Sequence, residues 1–99
     1  MVTSVLHHGI PLEYRGTLAS GDDLDSIIGF NYAGWYNVDR NVAHSPTTYA
    51  ALLVLPLSAD SGSQILFRPI NGEMYLRQRS GQPREWGSWY KLQGTVVNT

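Results

Sequence analysis

The sequence has no cysteine and few charged residues, and both absences exclude whole classes of protein. Without cysteine, the chain can form no disulfide scaffold, no thiolate zinc site and no cysteine nucleophile. Charged residues make up only 15% of the 99 residues, and the formal net charge of −1 lacks the basic excess that nucleic-acid binding relies on. The longest apolar run, Tyr49 to Leu57, is far too short to span a bilayer. We therefore expect neither a nucleic-acid partner nor membrane insertion.

Glycine and aromatic residues are abundant instead, with 10 glycines and an aromatic content of 11%, which is typical of a turn-rich β protein. A chain of this length forms one domain with a modest core. The histidines His7, His8 and His44 belong to no recognisable catalytic motif. We expect no catalytic residue, no metal site and no cofactor, and thus no enzyme.

The second half of the chain shows clear strand patterns. They predict strands near 50–57, 64–70, 73–79 and 87–92. The first of these is apolar on both alternation faces, which predicts a central strand covered on each side. Asn71-Gly72 predicts a two-residue hairpin turn of type I′ with a positive φ at Gly72.

The first half predicts one more strand and one helix. Gly34 to Val38 reads as a short aromatic strand. Residues 22–28 predict a short helix, with Ser20 or Asp22 as its cap and acidic residues at its positive end. The predicted fold is mainly β: a small, knob-like antiparallel sheet, a meander of four to five short strands, with one short N-terminal helix.

Six short segments form an ordered series along the chain. They are Asp23–Ile27, Gly34–Val38, Leu52–Leu55, Gln64–Phe67, Gly72–Arg77 and Trp86–Leu92. Together they resemble a known family, the pyocin knob domain of phage and R-type pyocin tail fibres and tail spikes. The family has a D-L-[ND] start, a G-x-Y-x-V strand, a glutamine-containing strand, a Y-x-R strand and a W-x-x-W-x-x-L ending. The resemblance covers residues 22–92, and Asn31-Tyr32-Ala33 and residues 1–20 depart from it.

This resemblance implies a domain organisation and a place of action. Residues 1–20 are expected to be a linker, or a strand docking from a preceding domain, at the junction to a shaft or another domain. Residues 21–93 are the expected knob-like β domain, and 94–99 a polar tail. The resemblance implies a module of the distal tail fibre or spike of a virion, extracellular when acting. It also implies a homotrimer within the parent fibre and host recognition by binding bacterial cell-surface polysaccharide.

The candidate carbohydrate-binding residues are planar side chains expected at loops, strand ends or the outer face. Sugar recognition needs an apolar aromatic face and planar polar groups for hydroxyls or carboxylates. In an extended strand Trp86 and Trp89 point to opposite sides, and Trp86 is expected to be the more exposed because it follows a polar loop. The full set is Tyr32, Tyr49, Arg77, Arg79, Arg84 and Trp86.

Two alternatives stay open at this point. Residues 1–60 carry six acidic side chains against two arginines, whereas residues 61–99 carry five basic side chains against two acidic ones. The arginines could therefore face an anionic ligand, or they could be neutralised within the fold, with Arg77 paired to an acid such as Asp25 and Tyr75 packed beneath it. The alternative function is a structural capping or trimerisation module of a fibre or depolymerase that makes no direct contact with glycan.

Overall fold

Seven strands form one sheet. The computed structural model describes residues 12–98. The strands are β1 (Tyr14–Leu18), β2 (Gly34–Val38), β3 (Ala50–Pro56), β4 (Gly62–Arg68), β5 (Glu73–Ser80), β6 (Glu85–Trp86) and β7 (Tyr90–Leu92). The sheet order is β1-β2-β3-β4-β5-β6, and β7 also pairs with β5. All pairs are antiparallel except β1 with β2, which are parallel. The mainly β class is therefore confirmed, with more strands than predicted and a mixed sheet.

The predicted helix at 22–28 is wrong. In its place stand two 3₁₀ helices of three residues each, Leu24–Ser26 and Phe30–Tyr32. Asp23 caps the first, because its Oδ1 accepts the Asp25 backbone N–H at 2.9 Å. The Leu24 N–H donates to the Ala43 carbonyl at 3.0 Å, which connects this segment to the loop before β3. Among residues 12–98 no helix is long and apolar enough to cross a membrane.

The hairpin between β4 and β5 differs from the predicted two-residue turn. Arg68 lies opposite Glu73, so the connection is the four-residue loop 69–72. Pro69 explains the difference, because proline has no N–H to donate to a strand ladder and β4 ends just before it. The positive φ predicted for Gly72 is confirmed at +70°, and its N–H is donated to the Arg68 carbonyl at 2.9 Å.

The two ends of the sheet also differ from expectation. Within the expected junction at 1–20, residues 14–18 form β1, an edge strand of the same sheet. Residues 1–11, with His7 and His8, and Thr99 lie outside the described residues. The strand predicted at 87–92 is divided, because the chain leaves β5 after Trp86 and pairs with it again from Tyr90.

One face of the sheet carries the core and is called here the covered face. The segments 19–33 and 39–49 pack on it, and the Gln64 side chain fixes the first of them by donating to the Leu24 and Ile27 carbonyls at 2.8 and 2.7 Å. Burying these apolar side chains provides the main stabilising free energy of a domain this small. The buried core consists of Leu18, Leu24, Ile27, Tyr36, Val38, Val42, Ala50, Leu52, Val54 and Leu66.

The opposite side of the sheet is called here the open face. It bears no charged residue in the two rows of side chains that run across the strands, and six large apolar side chains on this face are at least 37% exposed. The central strand β3 is therefore covered on one side only among residues 12–98, and cover of its other side stays a prediction. The two rows are Tyr14, Trp35, Leu53, Ile65, Leu76 and Tyr90, and Thr17, Asn37, Ala51, Phe67, Met74 and Leu92.

Candidate functional site

Arg77 is the centre of the polar cluster on the covered face. The alternation of β5 places it on the same side as Glu73, Tyr75 and Arg79, as predicted, and only 4% of it is exposed. Its Nε donates to Gln64 Oε1 at 2.9 Å, and its Nη1 donates to Asp25 Oδ1 at 2.8 Å. The outward position expected for Arg77 is therefore wrong, and the alternative in which it pairs with Asp25 is confirmed.

Two indole rings enclose the Arg77 guanidinium. Its carbon lies 3.8 Å from the ring centroid of Trp86 and 4.7 Å from that of Trp89. The expectation that these tryptophans point to opposite sides is wrong, because the chain leaves the strand between β6 and β7 and strict alternation ends there. The Trp86 indole N–H donates to the Asp25 carbonyl at 3.0 Å, and the Trp89 indole N–H donates to the His44 carbonyl at 2.9 Å. Both tryptophans are half-buried, so neither is the distinctly exposed member of the pair.

The electrostatics of Arg77 follow from this enclosure. Burial lowers the pKa of its guanidinium from the ordinary 12.5, and Asp25 opposes that shift. The group stays charged at neutral pH. Its Nη2 is buried without a hydrogen-bond partner. The faces of two aromatic rings partly compensate a desolvated cation by cation–π attraction. Arg77 therefore orients Trp86 and Trp89 from inside the fold.

A small ionic cluster lies beside Arg77. His44 Nδ1 is 2.7 Å from Asp23 Oδ1 and 3.3 Å from Asp25 Oδ2, and His44 has a left-handed backbone with φ +61°. Hydrogen bonding to Asp23 and the charge of Asp25 raise the pKa of His44. The backbone N–H of Asp25 and then His44 lower the pKa of Asp23. One atom from each of the three residues lies within 4.8 Å of the others, a spacing that could hold a metal ion, although Arg77 already balances Asp25.

The stability of the domain is expected to fall as the pH rises through the titration of His44. Because the pKa of His44 is raised above 6.5 in the folded state, its ion pair contributes fully below pH 6.5 and is lost as the pH passes the raised value. Thermal unfolding between about pH 5 and pH 9 measures this slope. The variant His44→Asn, which tolerates the left-handed backbone, should flatten it. A slope identical in both proteins would show that His44 does not carry the effect.

A cleft of about 390 Å³ lies between β5 and the segment that carries β6 and β7. Two of its lining residues are aromatic, the half-buried Trp86 and Tyr90, which is 65% exposed. Around them stand an amide, a carboxylate and two hydroxyl groups, all on exposed residues. This combination suits a sugar, which offers an apolar C–H face and a ring of hydroxyls. The polar lining residues are Gln78, Ser80, Glu85 and Ser88.

Four of the six predicted residues lie together beside this cleft. Trp86 and Arg77 line it, and the guanidinium carbon of Arg79 is 6.0 Å from the Trp86 ring centroid. Arg79 and Arg84 converge on Asp60, where Arg79 Nε donates to the backbone carbonyl at 3.1 Å and Arg84 Nε to Oδ1 at 3.2 Å. These contacts hold both guanidinium groups beside Asp60, which balances part of their charge.

Tyr32 and Tyr49 lie apart from that group. Both are on the surface as expected, 40% and 56% exposed. Tyr49 has a left-handed backbone with φ +53° and lines a second cleft of about 340 Å³ with polar neighbours that include Asn37 and Asp39. Tyr32 follows Asn31 in the second 3₁₀ helix, and its carbonyl accepts the Tyr36 hydroxyl at 2.8 Å. The structure therefore brings four candidates together and leaves two elsewhere.

Several residues of the site were missed in the sequence. Gln64 had a usable signal, because alternation along β4 places it on the same side as the buried Leu66. Tyr90 and Glu85 had none, since the division between β6 and β7 decides what they face. His44 is brought to Asp23 only by the pairing of two loops.

No family model, no curated protein and no solved structure matches the chain. The resemblance to pyocin knob domains thus rests on the six sequence segments alone.

Proposed function

We propose that this chain is a non-catalytic receptor-binding module of a phage tail fibre or tail spike that binds bacterial cell-surface polysaccharide. The observation that supports the proposal best is the cleft beside β5, where Trp86 and Tyr90 stand among amide, carboxylate and hydroxyl groups. The resemblance adds the setting, which is a homotrimer at the distal end of a virion tail. The module acts outside the cell, on the surface of the host.

The cleft is organised before any ligand arrives. Arg77 lies against the Trp86 ring, and the indole N–H is donated to the Asp25 carbonyl, so the ring cannot turn freely. A fixed aromatic platform avoids the entropic cost of ordering a side chain on binding. A pyranose ring stacks its C–H face on such a platform. Gln78 and Glu85 line the same cleft from the side of the sheet that bears Leu76 and Tyr90, where they offer polar groups to sugar hydroxyls.

The rim favours polysaccharides that carry carboxylates. Arg79 and Arg84 each present a planar guanidinium, the group best suited to bidentate recognition of a carboxylate. Each contact of this kind is weak by itself. Three copies in a fibre raise the effective affinity by about 10²–10⁴-fold when the geometry allows all of them to bind.

The test is binding of the 99-residue chain to a glycan array and to host cells. We expect Arg79→Ala and Arg84→Ala to weaken binding by about tenfold each, because each removes a charge-assisted hydrogen bond. We expect Trp86→Phe to weaken it as well, since the smaller ring loses the indole N–H that fixes its orientation. Arg40→Ala, an exposed arginine away from the cleft, is the matched control and should bind like the parent.

Two outcomes would contradict the proposal at different levels. If the parent binds but all three cleft variants bind equally well, the site is wrong and the Tyr49 cleft is the next candidate. If the parent binds no glycan and no cell, the glycan-binding function is wrong. The structural capping or trimerisation function would then be favoured, and the open face is the observation that supports it.

A further inference from the structure

The composition of the open face contrasts with the rest of the molecular surface. Its two rows contain no aspartate, glutamate, lysine or arginine, although 15% of the chain is charged. Phe67, Met74 and Leu92 adjoin one another across three strands and are 42%, 37% and 45% exposed. Depletion of charge together with enrichment in aromatic residues and methionine is the composition of an interface core.

The exposed area is of the size that an interface needs. Six large apolar side chains of this face are at least 37% exposed. At roughly 150–250 Å² for a large side chain, they expose about 600 Å² together. An exposed area of about 600 Å² equals the upper end of the range for the largest apolar patch of a typical monomer. A standard interface covers about 800 Å² on each partner. The half-buried residues between them, Leu53 and Ile65 among others, extend the same surface.

The sequence of the central strand β3 indicates that the open face has a cover. Residues 50–57 are apolar on both alternation faces, a pattern of strands that are covered on both sides. In the described chain, Leu52 and Val54 are fully buried on the covered face, while Leu55 on the open face is 43% exposed. The sequence of β3 therefore fits a sheet whose second cover comes from outside residues 12–98.

We propose that the open face packs against another copy of this chain, so that two sheets are stacked about 10 Å apart as in a β-sandwich. An uncharged face can meet its own copy without like-charge repulsion. It lacks the lysine and arginine that binding to an anionic membrane surface requires. Two sheets stacked face to face form a two-fold pair, so this contact is distinct from the homotrimer of the proposed fibre. Leu76 and Tyr90 belong both to the open face and to the lining of the cleft, so the two proposals share one edge of the sheet.

The test is the mass of the whole chain in solution, measured by sedimentation from roughly 1 to 100 μM, a range that includes the micromolar Kd of weak interfaces. We expect the parent to sediment at a multiple of its monomer mass of 11.0 kDa. Phe67→Lys and Leu92→Lys place a charge on the open face and should keep the chain monomeric. Leu92 lies on the last strand, so its variant tests the face with little risk to the fold.

The matched control is Ile70→Lys, the same kind of change at a residue that is 78% exposed in the β4–β5 loop, off the open face. It should associate like the parent, as should the Arg84→Ala variant of the glycan test. A parent that stays monomeric at the highest concentration overturns the proposal. Association that persists in Phe67→Lys and Leu92→Lys, or that Ile70→Lys abolishes equally, overturns it too. Loss of glycan binding with association intact contradicts only the proposed function.

Discussion

Replacing Arg77 with alanine is expected to lower the free energy of unfolding by about 3 kcal/mol, a large part of the stability of a domain this size. The change removes one donor from Gln64, one from Asp25 and the cation between Trp86 and Trp89. Gln64 is fully buried, so its freed oxygen stays unsatisfied. Asp25 is 36% exposed, so water can replace the lost guanidinium. The expected decrease in the free energy of unfolding is therefore at the lower end of the range for breaking a buried ion pair. Urea unfolding monitored by tryptophan fluorescence measures the change.

Two further variants separate position from charge. Arg79→Ala removes the next arginine on the same side of β5, which is half-exposed, and should change the free energy of unfolding by less than about 1 kcal/mol. Arg77→Lys keeps the charge but lacks the planar fork that reaches both partners, so it should recover little stability. Equal effects of Arg77→Ala and Arg79→Ala would show that burial of Arg77 does not matter.

Replacing Gln64 with leucine is expected to cost about 3 kcal/mol even though the two side chains have similar size. The glutamine amide donates to the carbonyls of Leu24 and Ile27, and its oxygen accepts from Arg77. Leucine leaves the Ile27 carbonyl and one guanidinium N–H without a partner, while the Leu24 carbonyl keeps only the Ile27 backbone N–H. Each unsatisfied buried group costs about 1–3 kcal/mol. Urea unfolding gives the loss, and hydrogen exchange in 22–28 should rise with it.

The matched control is Gln93→Leu, the same substitution at an exposed residue after β7. It should leave the free energy of unfolding within about 0.5 kcal/mol of the parent. If Gln64→Leu were equally neutral, the segment 19–33 would be held on the sheet by apolar packing alone. The two predictions together test whether one polar network fixes this segment.

That network replaces the helix predicted at 22–28. Asp23 and Asp25 in this stretch were interpreted as capping and helix-dipole groups, but each of them bonds to a partner outside it. Asp23 caps a three-residue turn and pairs with His44, and Asp25 pairs with Arg77 from a strand 52 residues away. Side chains that bond their own or distant backbone compete with helix formation. Local propensity could not reveal this, because the partners come from β5 and from the loop before β3.

Alternation and turn chemistry allowed the strands to be predicted. Val38 and Tyr36 share a buried side of β2, and the residues of β5 separate into the two predicted sides, since these patterns depend only on the two-residue repeat of a strand. The positive φ of Gly72 followed in the same way from the steric freedom of glycine. The pairing of Arg77 with Asp25 was one of two alternatives in the sequence. Opposite charges attract each other when folding brings them together, even when they are far apart along the chain.

By itself, the sequence determined the mainly β class, the strand 34–38, the two sides of β5 and the absence of any thiol chemistry. These features depend on composition and on repeats within a few residues. Only the tertiary structure decided that Trp86 and Trp89 enclose the same arginine, that β1 pairs in parallel with β2, and that the buried core of residues 12–98 lies on one side of β3. Each of these is set by how the chain leaves one strand and meets another, and no local pattern encodes such long-range pairing.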